Sequence, residues 1–501
     1  MNLLENKKIR YILFTLLIFL GFGLAIISCR YHADKFLIDD MLSFSLSNTP
    51  GGWVSYDNFG WVDTTQFSRF AVLENKFDFT NVWANQAADC HPPLFYLIIH
   101  IISSFFSPNL SYWYGYIPNI IYYLLTSIMI YKLSYKITKS YDSSFLIMFL
   151  YIINPVVLYY VAFIRMYTLV NLFAIIFAYI AIDFFDIEKI TKKTYISLSI
   201  VTTLGCLTHY YSYVIYFFIC LVIGLFLLFK KHYKQLIYFC VSVLSGIIIA
   251  LLIFPAAINH WLNNQHSVNA ITNLQESGNT LNRYISYLNT NPLNYLILII
   301  VLLIIVFSVI NKHKNLSISQ YTLIFTFFAY FLLVGKTSSF VTHRYMVPID
   351  SIMFVGLLTS LFTVVKPYKN NYINKIILSI FIISVTGLPT IYIKDYKNPI
   401  SYAKAHYGDL LIVYNDSNWD ANYTNVNAFE FREYENMYIM NDSYEARLEK
   451  ADFFLYEDAI VYVAYDMDLE LVKMWLFGSS RFTNLEPTDI NTAIYAVYYA
   501  Y

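Results

Sequence analysis

The 501-residue chain carries 33 Lys and Arg against 33 Asp and Glu, and 58% of its residues are hydrophobic while only 13% are charged. That charge share is far below the roughly 25% of soluble domains; with a mean hydropathy of +0.51 it excludes an ordinary globular protein and implies a polytopic membrane one. A formal net charge of zero gives no bulk field that would attract nucleic acid. The five cysteines, Cys29, Cys90, Cys206, Cys220 and Cys240, show no CxxC and no Cys/His metal spacing, which argues against a disulfide framework and a zinc site.

The chain opens with a basic flank, Lys7-Lys8, and an apolar stretch over 11–28, long enough to cross a hydrocarbon core of ~30 Å. The many apolar segments behind it favour a retained first helix over a cleaved leader ending at Cys29. A long polar loop, 30–92, follows, and near its start KFLIDDMLSF places Asp39 beside Asp40. Partial burial of adjacent carboxylates raises the pKa of one of them, which suits a general base. Acids at a helix N-terminus account for the same pair.

The loop ends in DCHPPLFY, with Asp89 and His91 ahead of Pro92-Pro93. Two residues without N–H groups suit the first turn of a helix, so both titratable groups are held at its mouth; a plain helix cap by Asp89 is the rival account. The segment it opens, 93–107, reaches only ~22 Å as a helix.

Further apolar segments lie near 116–133, 144–163, 167–185, 195–209, 211–229, 235–257, 292–310, 319–335, 345–365 and 373–393. Short basic clusters separate them at Lys132/Lys136/Lys139, Lys189/Lys192/Lys193, Lys230/Lys231/Lys234, Lys312/Lys314 and Lys366/Lys369/Lys375, and the positive-inside rule assigns all of these to the cytoplasm. Loop 30–92 and the cluster at 132–139 then fall on opposite sides with two apolar segments between them. One cannot cross fully, and the shorter, 93–107, is expected to be a short or re-entrant helix. About eleven full crossings remain, an odd number, within a mainly α fold of about 11 to 13 membrane helices, which puts the N-terminus inside and the C-terminal domain outside.

This threading collects the polar signatures on the outer face. AFIRMYTL supplies Arg165 and Tyr167, LTHYYSY supplies His209, Tyr210 and Tyr211, and TSSFVTHRYMVP supplies His343, Arg344 and Tyr345. An arginine at a boundary is a snorkelling anchor or a fork for phosphate; aromatic belts explain the tyrosines but not the histidines. Cations converging on acids suit a site that grips a phosphate while an acid accepts a proton.

From about 396 the character changes. DLLIVYND, FFLYEDAIVYVAY and NTAIYAVYYAY read as strands, with helices expected around 443–451 and 467–477. Residues 396–501 hold 17 acidic and 7 basic side chains. The expected organisation is a membrane domain over 1–395, with 30–92 as its first outer loop, and a small extracytoplasmic α/β domain over 396–501.

The acid pair after the first helix, the D-x-HPPL-F-Y entry, the R-M-Y at 165–167, the T-H-Y-Y at 208–211 and the R-Y-x-x-P at 344–348 together resemble the polytopic GT-C-type glycosyltransferases. The branch is that of protein O-mannosyltransferases and lipid A aminoarabinose transferases, and the resemblance covers about residues 1–365. It implies a multi-pass enzyme of the cell membrane that takes a sugar from a polyprenyl- or dolichyl-phosphate carrier. The acceptor would be a hydroxyl on a protein, lipid or polymer at the outer face, and the anomeric carbon would be inverted.

By that resemblance Asp39 or Asp40 is the base, although the second acid is often Glu in the family. An arginine that some members carry shortly after the acids is absent. Asp89 and His91 would orient sugar hydroxyls or the base. Arg165 and Arg344 would hold the leaving lipid phosphate, with Tyr167, His209, Tyr210, His343 and Tyr345 completing the substrate site. Asp39, Asp40, Asp89 and His91 include hard and borderline metal ligands, but the resemblance implies a reaction without metal or other cofactor.

Two other readings share these features. A flippase or transporter of a lipid-linked sugar would show inverted repeats and helices broken at the bilayer midplane, whereas the polar sets here gather at one face. A polysaccharide polymerase or ligase would use a similar donor, and the large loop directly after the first helix favours the transferase over it.

Overall fold

The computed structural model describes residues 3–32, 37–52, 60–70, 73, 75–109, 111–276, 280–290, 292–310, 316–365, 371–387, 399–415, 424–441, 453–492 and 494–501. The helix expected around 443–451, and Lys312, Lys314, Lys366 and Lys369, lie outside them. The chain divides into two compact units: Met1–Ser28, Gln86–Phe95 and Tyr116–Ile391 form the first, and Cys29–Asn85, Tyr96–Gly115 and Tyr392–Tyr501 the second.

The first unit is helical, and the protein is a multi-pass membrane protein. Six described helices are long and apolar enough to cross a bilayer: Lys7–His32, Tyr167–Phe185, Tyr211–Phe229, Tyr233–Ile253, Ile318–Thr337 and His343–Val365. A seventh crossing is available if the pair Tyr141–Ile152 and Pro155–Val161, bent by 58°, counts as one. The bend has a local cause. Pro155 cannot continue a helix, and Asn154 accepts from the N–H groups of Val156 and Val157, restarting the chain as a new cap.

The other apolar segments form helices such as Trp113–Thr138 and the shorter Leu94–Phe106, Tyr295–Val309 and Lys375–Thr386. Leu94–Phe106 has 13 residues, about 20 Å, in keeping with a helix too short to cross. Pro92 and Pro93 precede it instead of forming its first turn, and its first N–H, on Leu94, donates to the Leu207 carbonyl at 3.0 Å.

Association of these helices relies on small residues and polar links, since lipid removes the hydrophobic drive between apolar surfaces. At Gly246 an added Cβ would lie 2.5 Å from the Ser199 carbonyl oxygen and 2.7 Å from Thr202 Cβ. That absence of a side chain lets Lys192–Cys206 and Tyr233–Ile253 touch, and Thr203 Oγ1 donates to the Gly246 carbonyl at 3.0 Å. Elsewhere Asn171 donates to Tyr151 Oη at 3.1 Å and accepts from the Ser351 N–H at 3.0 Å. Lys375 is buried, with Asp142 at 3.4 Å and Ser143 Oγ at 2.8 Å. The span His343–Val365 is 94% buried, and it reads as apolar all round because protein surrounds it.

The second unit is built on a six-stranded sheet: β1 (Gly60–Val62), β2 (Leu410–Asn415), β3 (Asn436–Asn441), β4 (Ala459–Ala464), β5 (Leu485–Asn491) and β6 (Tyr495–Ala500). Their order is β1-β3-β2-β4-β6-β5. Strand β2 runs parallel to β3 and β4, and the outer pairings are antiparallel. LLIVYN and AIVYVA are buried along their whole length, as continuous apolar runs in the centre of a covered sheet should be.

The helix Leu469–Gly478 covers one face through Val472, Trp475 and Leu476. Three strands and this helix match the sequence pattern; β3 and β5 do not stand out in it. Edge strand β5 carries Pro487, which a sheet tolerates at its border.

Strand β1 comes from the long loop after the first helix and pairs Trp61 opposite Tyr438. Thr64 Oγ1 donates to the Tyr434 carbonyl at 2.7 Å, and Phe67 and Phe44 pack edge-on against Phe431 and Phe429. The same unit therefore holds the loop and the C-terminal strands.

Candidate functional site

In the first unit three short stretches that join helices are held in place by specific bonds. The first runs from the end of Phe79–Ala88 into Leu94–Phe106 and carries Asp89, Cys90 and His91. His91 Nδ1 lies 2.8 Å from Asp89 Oδ2 and 3.2 Å from Cys90 Sγ. A carboxylate only accepts, so His91 donates from Nδ1, and Nε2 is left as the basic nitrogen.

Burial works against the Asp89 charge. The charge and hydrogen bond of His91, the Cys90 N–H and Arg165 outweigh it and hold the carboxyl well below its ordinary range. Burial pushes His91 down from 6.5, with Asp89 opposing and Arg165 adding to the shift. The pair is thus an ionised carboxylate beside a neutral imidazole, the protonation state of a carboxylate-backed general base. Asp89 caps no helix: Leu94–Phe106 begins five residues later.

The second stretch is the turn 161–166. Asn119 Nδ2 donates to the carbonyls of Phe163 at 2.8 Å and Val161 at 3.2 Å, fixing the turn that presents Arg165 just ahead of the span starting at Tyr167. Arg165 is 5% exposed. The third is the turn at 208–211, where His209 Nδ1 accepts from the Tyr211 N–H at 3.0 Å. Burial, then His91 and Arg165, push His209 well below its ordinary value, so it is neutral with its proton on Nε2.

Rings connect these pieces. His209 lies 5.5 Å from His91, 5.7 Å from Tyr167 and 4.6 Å from Tyr211 between centroids. Tyr167 and Tyr211 both pack edge-on against Tyr345, at 6.5 and 5.7 Å, and the Arg344 guanidinium sits 5.1 Å over that ring. The Tyr345 carbonyl accepts from Tyr330 Oη at 2.7 Å. Asp89, His91, Arg165, Tyr167, His209, Tyr345 and Arg344 therefore belong to one connected cluster.

His260 joins them, although no motif in the sequence singles it out. Its Nδ1 accepts from Tyr210 Oη at 2.6 Å, and its Nε2 donates to the Ala87 carbonyl at 3.1 Å. It thereby ties the 208–211 turn to the stretch carrying Asp89. Burial, with Cys90 and Asp89 adding, raises the Tyr210 pKa, so its hydroxyl stays protonated and donates.

His343 turns elsewhere. Its ring packs 5.7 Å from Tyr160, and Nε2 lies 4.0 Å from Asp350 Oδ2. Asp350, also buried, had its signal in the sequence: an acid within an apolar span is expensive enough to merit a role.

Asp39 and Asp40 lie in the second unit, in the first turn of the helix Ile38–Asn48. Asp40 is buried, and its Oδ2 accepts from the Leu37 N–H at 2.9 Å. One oxygen of that carboxylate is therefore committed to the helix N-terminus; Asp39 takes no part in that bond. Asp89, Cys90 and His91 offer one ligand atom each within 4.8 Å of one another, a spacing a single cation could bridge. None of the five cysteines forms a disulfide.

No family profile matches the chain, and no curated protein matches it in sequence. Solved structures do. ArnT from Cupriavidus metallidurans bound to undecaprenyl phosphate superposes with a TM-score of 0.50 at 9% identity, covering 96% of this chain and 97% of that one. The apo state of the same protein gives 0.49 at 9% identity over 91% and 95%. The fold is of the GT-C type, a polytopic helical body with a small α/β unit.

Proposed function

We propose that the chain is a membrane glycosyltransferase. It moves a sugar from a polyprenyl-phosphate, or dolichyl-phosphate, carrier to an acceptor hydroxyl on a protein, lipid or polymer at the outer face of the membrane, with inversion. The observation that carries this reading is the ionised Asp89 and neutral His91 held beside the buried Arg165 and the His209 ring, in a fold shared with a protein crystallised with undecaprenyl phosphate.

The acceptor O–H loses its proton to the base as its oxygen attacks the anomeric carbon. The bond from that carbon to the phosphate oxygen breaks, and its electron pair leaves with the lipid phosphate. That group gains one negative charge, and Arg165 and Arg344 are the cations suited to meet it. Within the first unit the group equipped as base is His91 backed by Asp89, while the motif resemblance assigns the base to Asp39 or Asp40. Tyr167, His209, Tyr210 and Tyr345 shape the surround, and His343 stands behind Arg344 as the start of its turn.

Transfer of radiolabelled sugar from a panel of polyprenyl-phosphate sugars tests the reading, in membranes holding matched amounts of wild type and variants. Wild type should transfer. Arg165→Ala should lose turnover, and whichever of Asp39→Asn, Asp40→Asn or Asp89→Asn falls furthest tells an acid of the first loop as base from His91 backed by Asp89. Labelled lipid crossing the bilayer without any product would replace this reading with a flippase.

A further inference from the structure

The stretch between the spans Tyr233–Ile253 and Ile318–Thr337 includes the short helices Gln265–Gln275 and Thr280–Asn289. Both leave apolar side chains on their outer surface: Ile271, Leu274, Leu281 and Ile285 are all exposed. Short helices with bare apolar faces beside membrane spans lie in the boundary between headgroups and acyl chains.

Against them is a cavity of about 280 Å³ lined by Asn273, Glu276, Asn282, Arg283, Ser286 and Lys336. At ~30 Å³ per liquid water that is room for roughly nine waters, far more than a bare ion needs. Lys336 stands in the last turn of the span Ile318–Thr337, which sets the cavity at headgroup depth.

Its chemistry is mixed in sign. Arg283 donates from Nε to the Gly335 carbonyl at 2.8 Å and from Nη2 to the carbonyl and hydroxyl of Ser338. Lys336 donates to Thr280 Oγ1 at 2.6 Å and to the Glu276 carbonyl. A guanidinium has five N–H groups and an ammonium three. Arg283 Nη1 and one Lys336 proton therefore have no partner among the described residues, and neither do the Glu276 carboxylate, the Asn282 amide and the Ser286 hydroxyl. Two anchored cations with donors to spare would take a phosphate. The carboxylate on the same cavity would take an ammonium.

We propose that this cavity binds the zwitterionic headgroup of a bilayer glycerophospholipid, with the phosphate on Arg283 and Lys336 and the ammonium on Glu276. A purely anionic headgroup meets the same two cations but also faces the carboxylate, so the site should prefer an amine-bearing lipid.

The test is native mass spectrometry of the full chain in detergent, titrated separately with short-chain phosphatidylethanolamine, phosphatidylglycerol and undecaprenyl phosphate. Ser286→Trp fills the cavity and Glu276→Gln removes the carboxylate; both side chains are exposed and make no described hydrogen bond, and the Glu276 carbonyl that accepts from Lys336 is kept in either variant. Wild type should favour phosphatidylethanolamine, Ser286→Trp should abolish that binding, and Glu276→Gln should weaken it about fivefold, the upper range of an exposed ion pair, while phosphatidylglycerol binding tightens as the opposing carboxylate is lost. Equal affinity for the two phospholipids in wild type, or phosphatidylethanolamine binding that survives Ser286→Trp, would overturn the proposal. So would loss of undecaprenyl phosphate binding alone in Ser286→Trp, which would make the cavity part of a donor site.

Discussion

Replacing Asp89 by Asn separates the charge of that residue from its shape. The amide oxygen can still accept from His91 Nδ1 at the 2.8 Å seen here, and Asp89 caps no helix, so folding should change little. The negative charge is lost, however, and Asp89 is the group that raises the His91 pKa against burial and the nearby Arg165. Without it His91 becomes a weaker base, and the imidazolium formed as it takes the acceptor proton is left beside Arg165 uncompensated.

A positioned base contributes about 10²–10⁴-fold. Asp89→Asn should therefore cut turnover at least about a hundredfold, or about 2.7 kcal/mol in the barrier, with protein level and thermal unfolding near wild type. The pH profile adds a second readout. His91 sits below 6.5 in the wild type and must be neutral to act, so the rate should fall only as pH drops through that lowered value. In the variant the acidic limb should move to still lower pH. Full transfer activity for Asp89→Asn, at matched protein and with an unmoved limb, would refute the role given to this pair.

Other expectations follow from the same geometry. His260→Ala removes both the Tyr210 and Ala87 bonds; leaving buried partners unmet costs about 1–3 kcal/mol each, and turnover should drop with little change in apparent donor affinity, as steady-state kinetics would show. Gly246→Leu must push a side chain into the Ser199 carbonyl; overpacking of this kind costs about 1–3 kcal/mol, read as a lower melting temperature in detergent. Asp40→Ala strips the Leu37 N–H of its acceptor and should cost about 1 kcal/mol as a lost cap does. Asp40→Asn should keep most of that stability, so an activity loss in Asn alone would point to chemistry.

The membrane class, the short helix after the two prolines and the central strands of the second unit could be read from the sequence because each rests on a run of like residues. LLIVYN and AIVYVA announce a covered sheet without any partner being known. Strand β1 could not be found this way: Gly60–Val62 is three residues long, and its meaning comes from Tyr438, almost four hundred positions on. His260 was hidden for a related reason. Its function lies in joining Tyr210 to Ala87, and sequence distance conceals that bridge. His343 shows the converse, since its place next to Arg344 suggested a shared role while the turn His343–Tyr345 sends the two side chains to different neighbours.

What the cluster in the first unit would welcome follows from its charge state. Burying a guanidinium is costly unless negative charge comes with it, and Arg165 is 5% exposed. Asp89 supplies one such charge, while His209 is neutral by virtue of its surroundings and His91 is driven the same way. Across the aromatic bridge of Tyr167, Tyr211 and Tyr345 stands a second guanidinium, Arg344. Two guanidiniums in one cluster favour an anionic ligand. A group that arrives with one negative charge and departs with two, as a lipid phosphate does when its sugar is taken, is bound more tightly on leaving than on entry, and that difference is what lowers a barrier.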